Sequence, residues 1–290
     1  LPLLEAGGFQ AGRDFYLAYA PERVDPGNRR YGVKNTAKLV GGVTPTCTDV
    51  ASTFFRQIVE TVVPVQSPEV AELAKLVENT FRFINISFVN EIAILCDRLG
   101  LNPWEVIQAA STKPFAFLPH YPGPGVGGDC IPVMPRYLEW CANRADLPIE
   151  TIAAANHVNR RMPEFVVEKL ARLLRERQDR SLPGSRVLVV GVSYKPNLAD
   201  LRHAPSLRII AQLRALGVQA SYHDPLISRI DVAGAEMIST DLDQAGSFDA
   251  VLLVTPHQGI DYEALISRSA LILDTQHALR DWSAPNVVHL

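Results

Sequence analysis

The sequence predicts an α/β chain in three parts, closed by a doubly wound parallel sheet. Two observations carry this. From residue 181 onward, short apolar runs alternate with helical runs, the pattern of parallel strands joined by crossover helices. Between residues 67 and 180 the periodicity is helical almost throughout, apart from one stretch rich in glycine and proline. Residues 1–66 hold short strand runs and one helix, and read as the tail of another α/β unit. The expected division is therefore 1–66, 67–180 and 181–290.

Each element has a local reason. Leu1 to Gly7 closes a helix that stops at Gly7-Gly8. Phe15 to Tyr19 reads as a strand running into the loop from Ala20 to Asn28. Lys38 to Gly42 is a second strand, Asp49 to Ile58 an amphipathic helix, and Val62 to Val65 a last strand. Ser67 then caps, and Pro68 opens, a helix that runs to Leu99 and stops at Gly100. At 1.5 Å per residue it spans about 48 Å. Leu73, Val77, Phe81, Ile84, Phe88, Ile92 and Leu95 spread apolar surface around most of it, more than one small domain covers. The helix is expected to pack on a second copy of the chain, giving a homodimer. Asn102 and Glu105 have capping-box spacing at a short helix. Two further helices are expected near 136–145 and 149–178. The second ends in the charged run Arg172 to Arg180, read as a solvated connector. Leu182-Pro183-Gly184-Ser185 marks a boundary. Beyond it, Arg186 to Gly191, Val218 to Tyr222, Ala250 to Val254 and Leu271 to Asp274 read as strands, Val287 to Leu290 as an edge strand, and Ser206 to Leu216 as a helix.

Composition excludes several classes of protein. A hydrophobic share of 47% with 20% charged residues is that of a globular chain. The net charge of −3 gives no basic field for nucleic acid or an anionic membrane. No apolar run reaches the roughly 18 residues of a membrane span, and no signal peptide is visible. Cys47, Cys96, Cys130 and Cys141 show no Cys-x-x-Cys pairing, which argues against a zinc site or a disulfide framework and for a reducing cytoplasm. The chain starts at Leu1 rather than Met, as a piece of a longer or processed protein would.

The chemistry gathers at the stretch from Lys113 to Pro135. Its glycines and prolines make it a shaped loop, and Gly127 and Gly128 let the backbone approach something bulky. Cys130 follows at once, with Pro135 expected to open a helix. A thiol beside a helix N-terminus is favoured as thiolate, the form that attacks carbonyl carbons. The plainer alternative is a structural cysteine in a turn. Lys75, Asn79 and Arg82 recur at one-turn spacing on the long helix, as a solvated stripe or as a cradle for an oxyanion. Glu22 sits in a proline-flanked loop at a strand end. Lys195, Asp200 and Arg202 follow the first strand of the last part, where open parallel sheets bind ligands. Gly191 stands without the further glycines of a dinucleotide loop.

Four motifs stand in order along the chain: Ala20-Pro21-Glu22-Arg23-Val24-Asp25-Pro26-Gly27, Ala71 to Lys75 with Glu78 to Arg82, Gly125 to Pro132, and Gly191 to Lys195 with Asp200-Leu201-Arg202 and Pro205. Together they resemble the UDP-glucose/GDP-mannose dehydrogenase family. The Glu78 to Arg82 and Thr112 to Phe115 segments are most similar to the branch that oxidises UDP-N-acetylglucosamine or UDP-N-acetylmannosamine. The resemblance implies the remnant of a Rossmann domain, a central long-helix dimerisation domain and a C-terminal Rossmann-like, UDP-sugar-binding domain. It implies NAD as cofactor and two oxidations at C6 of a UDP-sugar, by way of a thioester on Cys130, giving uronates for cell-surface polysaccharide. Lys75 and Asn79 would hold the oxyanion and Glu22 the hydrolytic water. Arg23, Arg82, Tyr121, Gly127, Gly128, Tyr194 and Lys195 would contact substrate, and Arg202 the cofactor. The sequence departs from the family in four ways. It begins after most of the expected NAD-binding domain. Met134 replaces an Asp that would also cap the following helix, worth about 1 kcal/mol. Gln276 replaces an Arg, and Ala204 a Ser. The alternative reading is a non-catalytic homologue that dimerises or binds UDP-sugar without oxidising it.

Overall fold

The computed structural model describes residues 1–290 except Pro26 and Arg29, so Pro26 of the first motif lies outside the described residues. The chain separates into two compact units, Leu1–Thr80 and Phe81–Leu290.

In the first unit, helix α1 (Pro2–Glu5) precedes a three-stranded sheet of order β1-β2-β3, from Ala18–Tyr19, Lys38–Gly42 and Val62–Val65. β2 and β3 run parallel and β1 antiparallel. β1 is shorter than the run from Phe15 predicts. Helix α2 covers Pro45–Phe55, starting earlier than expected because Thr44 caps it, accepting a bond from the Cys47 N–H.

Helix α3, Pro68–Leu99, has the predicted bounds and passes through the boundary between the units. Gly100 follows it with φ +68, the left-handed stop that glycine takes freely. Val70, Leu73, Val77, Phe81, Phe88, Leu95 and Leu99 are exposed at three-, four- and seven-residue spacing along it.

The second unit continues with α4 (Pro103–Ser111), α5 (Met134–Arg144) and α6 (Glu150–Gln178). The Asn102 side chain caps α4 through the Trp104 N–H. α5 begins at Met134 rather than Pro135, and its cap position, Val133, makes no side-chain bond. The expectation that residue 134 is the cap is thereby corrected: it is already inside the helix.

A five-stranded sheet follows, with order β10-β9-β8-β4-β5. Its strands are β4 (Arg186–Val190), β5 (Gln219–His223), β8 (Ala250–Leu253), β9 (Ile272–Asp274) and β10 (Val287–His289), all paired in parallel. β10 is an edge strand, as read. Alternate residues of β4 enter two cores. Val187 and Val189 pack with Leu170 and Leu174 of α6 and Ile209 and Leu213 of α7 (Pro205–Ala215). Leu188 and Val190 pack with Phe248 and with Leu265 of α8 (Tyr262–Arg268). A parallel sheet covered on both faces needs such continuously apolar strands. The hairpin of β6 (Arg229–Val232) and β7 (Ala235–Ile238), a 3₁₀ turn over Leu242–Ser247, and α8 are additions to the sequence reading.

The charged side chains of the run Arg172 to Arg180 are exposed, as read, but several of them also make specific contacts. Arg172 donates two bonds to Asp97, at 2.7 and 2.8 Å. Arg177 reaches the Pro285 carbonyl, Gln178 the Asp249 carbonyl, and Arg180 the Asp249 carboxylate. These bonds tie α6 to α3 at Asp97 and to the loops that lead into β8 and β10.

Candidate active site

The first unit carries Glu22, Arg23, Lys75 and Asn79. Glu22 accepts the backbone N–H of Arg23 at 2.8 Å and of Val24 at 2.6 Å, and pairs with Lys38 at 3.2 Å. Burial pushes its pKa up, but the Val24 N–H, Lys38 and the Arg23 N–H outweigh it, so the carboxyl sits below its ordinary range. Arg23 is tied to α3 by Glu78, with its Nη2 2.7 Å from one carboxylate oxygen, and donates to the Ala37 carbonyl. Glu22, Arg23 and Lys38 line a cavity of about 180 Å³ with Thr36, Phe55 and Ile58. Asn79 is only 6% exposed, and its amide nitrogen has no hydrogen-bond acceptor among the described residues. Lys75, one turn away, is half-buried. A buried amide donor left open beside a cation is costly unless something anionic or polar comes to meet it.

The second unit carries the other predicted residues. Cys130 is exposed, just ahead of α5. The glycines before it are explained by close approach to the chain's own residues. A Cβ on Gly127 would lie 2.6 Å from the Tyr194 Cβ, and one on Gly128 2.7 Å from the Tyr194 ring. Gly128 also takes φ +85, and its N–H donates to the Arg202 carbonyl at 2.8 Å. Asp129 forms an ion pair with Arg202, which also grips Asp200 through its Nε at 2.9 Å. The cysteine loop is thus fastened to the loop carrying Asp200, Leu201 and Arg202, bringing Gly127, Gly128, Tyr194 and Arg202 together. The start of the loop is held by a buried chain: Gly123 N–H to Asn90, Asn90 to Asn159, and Asn159 to Ser87. Tyr121 stacks on Trp104 with centroids 5.2 Å apart, and Trp104 stacks on His277 at 4.7 Å. Arg82 is exposed on α3.

Two strand-end residues outside the sequence-predicted site, Asp224 and His257, organise the turn after β4. Asp224, at the end of β5, accepts the N–H of Val192 at 2.8 Å, Leu226 at 2.9 Å and Ile227 at 3.1 Å, and pairs with His257 Nε2 at 3.1 Å. Both side chains are fully buried. The Asn197 N–H donates to His257 Nδ1 at 3.0 Å, so Nε2 carries the proton and donates. Burial pushes the Asp224 pKa up, but His257 and the Val192 N–H lower it further, leaving it below the ordinary value. Ser193 adds a bond between its hydroxyl and the Lys195 carbonyl at 3.0 Å. The network fixes both ends of the turn that presents Tyr194 and Lys195.

Among the described residues no cluster of His, Cys, Asp or Glu could hold a metal ion, and no helix is long and apolar enough to cross a membrane.

Comparison with known proteins agrees with the resemblance read from the motifs. Residues 69–161 match the model of the UDP-glucose/GDP-mannose dehydrogenase family central domain, and residues 188–281 that of the same family's UDP binding domain. The UDP-N-acetyl-D-glucosamine 6-dehydrogenase of Pseudomonas aeruginosa is 34% identical over 262 residues, covering 89% of this chain and 61% of that protein. The protein CapL of Staphylococcus aureus is 31% identical, covering 94% of this chain and 66% of its own length. The structure of the UDP-D-ManNAc dehydrogenase from Pyrococcus horikoshii superposes with a TM-score of 0.84 at 28% identity, covering 99% of this chain and 67% of that one. The chain spans under two thirds of the length of the Pseudomonas aeruginosa relative. It belongs to the UDP-glucose/GDP-mannose dehydrogenase family and carries that family's central and UDP-binding domains.

Proposed function

We propose that the chain is the substrate-binding and thiol-bearing part of a nucleotide-sugar 6-dehydrogenase acting on a UDP-hexose or, as several of its relatives do by name, a UDP-N-acetylhexosamine. In this reading residues 1–66 continue an NAD-binding domain, residues 67–180 form the dimerising domain and residues 181–290 bind the UDP-sugar. The C6 alcohol is oxidised twice, the acyl group rests on Cys130 as a thioester, and water releases the uronate. Lys195 and Tyr194 receive the nucleotide sugar on the turn that Asp224 and His257 stiffen. Lys75 and the open Asn79 amide meet the developing oxyanion. Glu22, with its carboxyl held below the ordinary range, orients the hydrolytic water better than it deprotonates it. The apolar row Val70, Leu73, Val77, Phe81, Phe88, Leu95 and Leu99 is the surface for a second copy.

NAD is the oxidant this reading requires, but the described residues make a poor cradle for it. Gly191 is filled by the chain itself, since a Cβ there would meet the Thr255 carbonyl. Arg202 is committed to two carboxylates.

The observation that carries the reading is the buried Asn79 amide left without an acceptor one turn from Lys75. Calorimetric titration with UDP-N-acetylglucosamine tests it. Saturable binding, weakened tenfold or more by Lys195→Ala, is expected; a folded chain that binds no UDP-sugar at millimolar concentration sinks it. A second reading, a homologue that binds UDP-sugar without oxidising it, is favoured by Met134 in the first turn of α5. It predicts the same binding with no NADH formed under any condition, and no rescue by Met134→Asp.

A further inference from the structure

A cavity of about 300 Å³ lies behind the cysteine loop, wholly within the second unit. Helices α5, α6 and α7 each bring one arginine to its wall: Arg136, Arg160 and Arg208. His203 and the Asn156 side chain join them, and no Asp or Glu lines the cavity. Among the described residues neither Arg136 nor Arg160 has an ion-pair partner, and Arg208 Nη2 donates only to the Arg160 carbonyl, at 3.2 Å. All three arginines are exposed at the mouth, so an anion seated among them would gain charge-assisted bonds from three sides. The cluster is no part of a general basic field, since the chain carries a net charge of −3. His203 takes φ +54, a left-handed conformation that non-glycine residues adopt at a cost and that gathers at binding sites.

We propose that this cavity binds a phosphate-bearing anion, through Arg136, Arg160 and Arg208 with the Asn156 amide as a neutral donor. None of Glu22, Lys75, Asn79, Cys130 or Lys195 lines it, so the proposal stands apart from the functional reading above. Its remaining wall includes Val126 and Pro132, which flank Cys130 in the loop, so an occupant braces that loop from behind. The volume, at the low end for ligand pockets, suits a phosphate or diphosphate group rather than a whole nucleotide.

The test is calorimetric titration of the full chain with inorganic pyrophosphate at low salt, comparing Arg160→Gln, Arg208→Gln and the double variant with Arg229→Gln. Arg229 lies in the β6–β7 hairpin, outside the cavity, and removes the same charge. Thermal melts establish that each variant is folded. Saturable one-to-one binding, weakened at least tenfold in the double variant and less than twofold by Arg229→Gln, is expected. No binding to the folded chain, or equal weakening by Arg229→Gln, overturns the proposal. Displacement of pyrophosphate by UDP or NAD would make the occupant the diphosphate of a nucleotide. Binding that neither displaces would make it a free phosphate species.

Discussion

The ends of the parallel strands and the cysteine loop meet at Tyr194, yet they are built on opposite terms. At the strand ends Asp224 and His257 are fully buried, and each polar atom in the pair has a partner. Around the cysteine Asp129, Cys130 and Arg202 are exposed, and beyond the buried Gly123–Asn90 bond at the start of the loop the fastening is one backbone bond, one surface ion pair and two glycines packed on Tyr194. A satisfied buried network is rigid and expensive to damage; a surface ion pair contributes little and is screened by salt. The side that would receive the nucleotide is therefore preformed, while the segment that would carry the thiol is held by weaker, exposed contacts.

Breaking the rigid side should have the largest effect. Asp224→Ala strands the N–H groups of Val192, Leu226 and Ile227 and leaves His257 buried without its carboxylate, at a cost of about 3–5 kcal/mol in a urea melt. The same residue gives the acid dependence its sign. Because the folded Asp224 carboxyl is depressed, its contribution is complete above the ordinary carboxylate value near 4 and disappears as pH falls through the lower folded value. The variant should therefore lose less stability than the wild type over that range; an equal loss in both would mean that the network does not stabilise the fold.

The loop side should respond less in stability and more in chemistry. Gly128→Ala forces a side chain into φ +85 and into the Tyr194 ring, costing about 2–3 kcal/mol. It should change the alkylation rate of Cys130 severalfold while leaving the sheet intact. An unchanged rate would separate the glycines from the thiol. The smallest effect is a gain. Ala204 is the cap of α7 and makes no side-chain bond, so Ala204→Ser should add about 1 kcal/mol if its hydroxyl reaches the helix N–H groups. A neutral result in thermal melts would show that contact with the glycine loop leaves the hydroxyl no room to turn.

The sequence disclosed what is written locally. The bounds of α3 follow from Ser67-Pro68 at one end and Gly100 at the other, and the strands of the last sheet follow from continuous apolar runs. The β6–β7 hairpin was missed because its turn places Ala233, with φ +55, beside Gly234, and alanine rarely signals such a turn. The exposure of Arg172 to Arg180 was legible, but its partners, Asp97, Asp249 and Pro285, were not, because they lie far along the chain. Asp224 and His257 stand at the ends of β5 and β8, which flank β4 in the sheet, so their pairing depends on strand order rather than spacing. Of the site, Cys130 and its glycines were legible, since glycine marks close approach in the sequence itself; Asp129 as the partner of Arg202 was not, because it needs two loops brought together.

The most direct measurement is the rate of Cys130 alkylation in a Cys141→Ser background, where the other two cysteines are buried, with and without UDP-N-acetylglucosamine. If Cys130 sits at the sugar end of the nucleotide-sugar site, protection should be saturable, at least fivefold, and weaker with UDP alone. Binding of the UDP-sugar with no change in the alkylation rate would contradict the account.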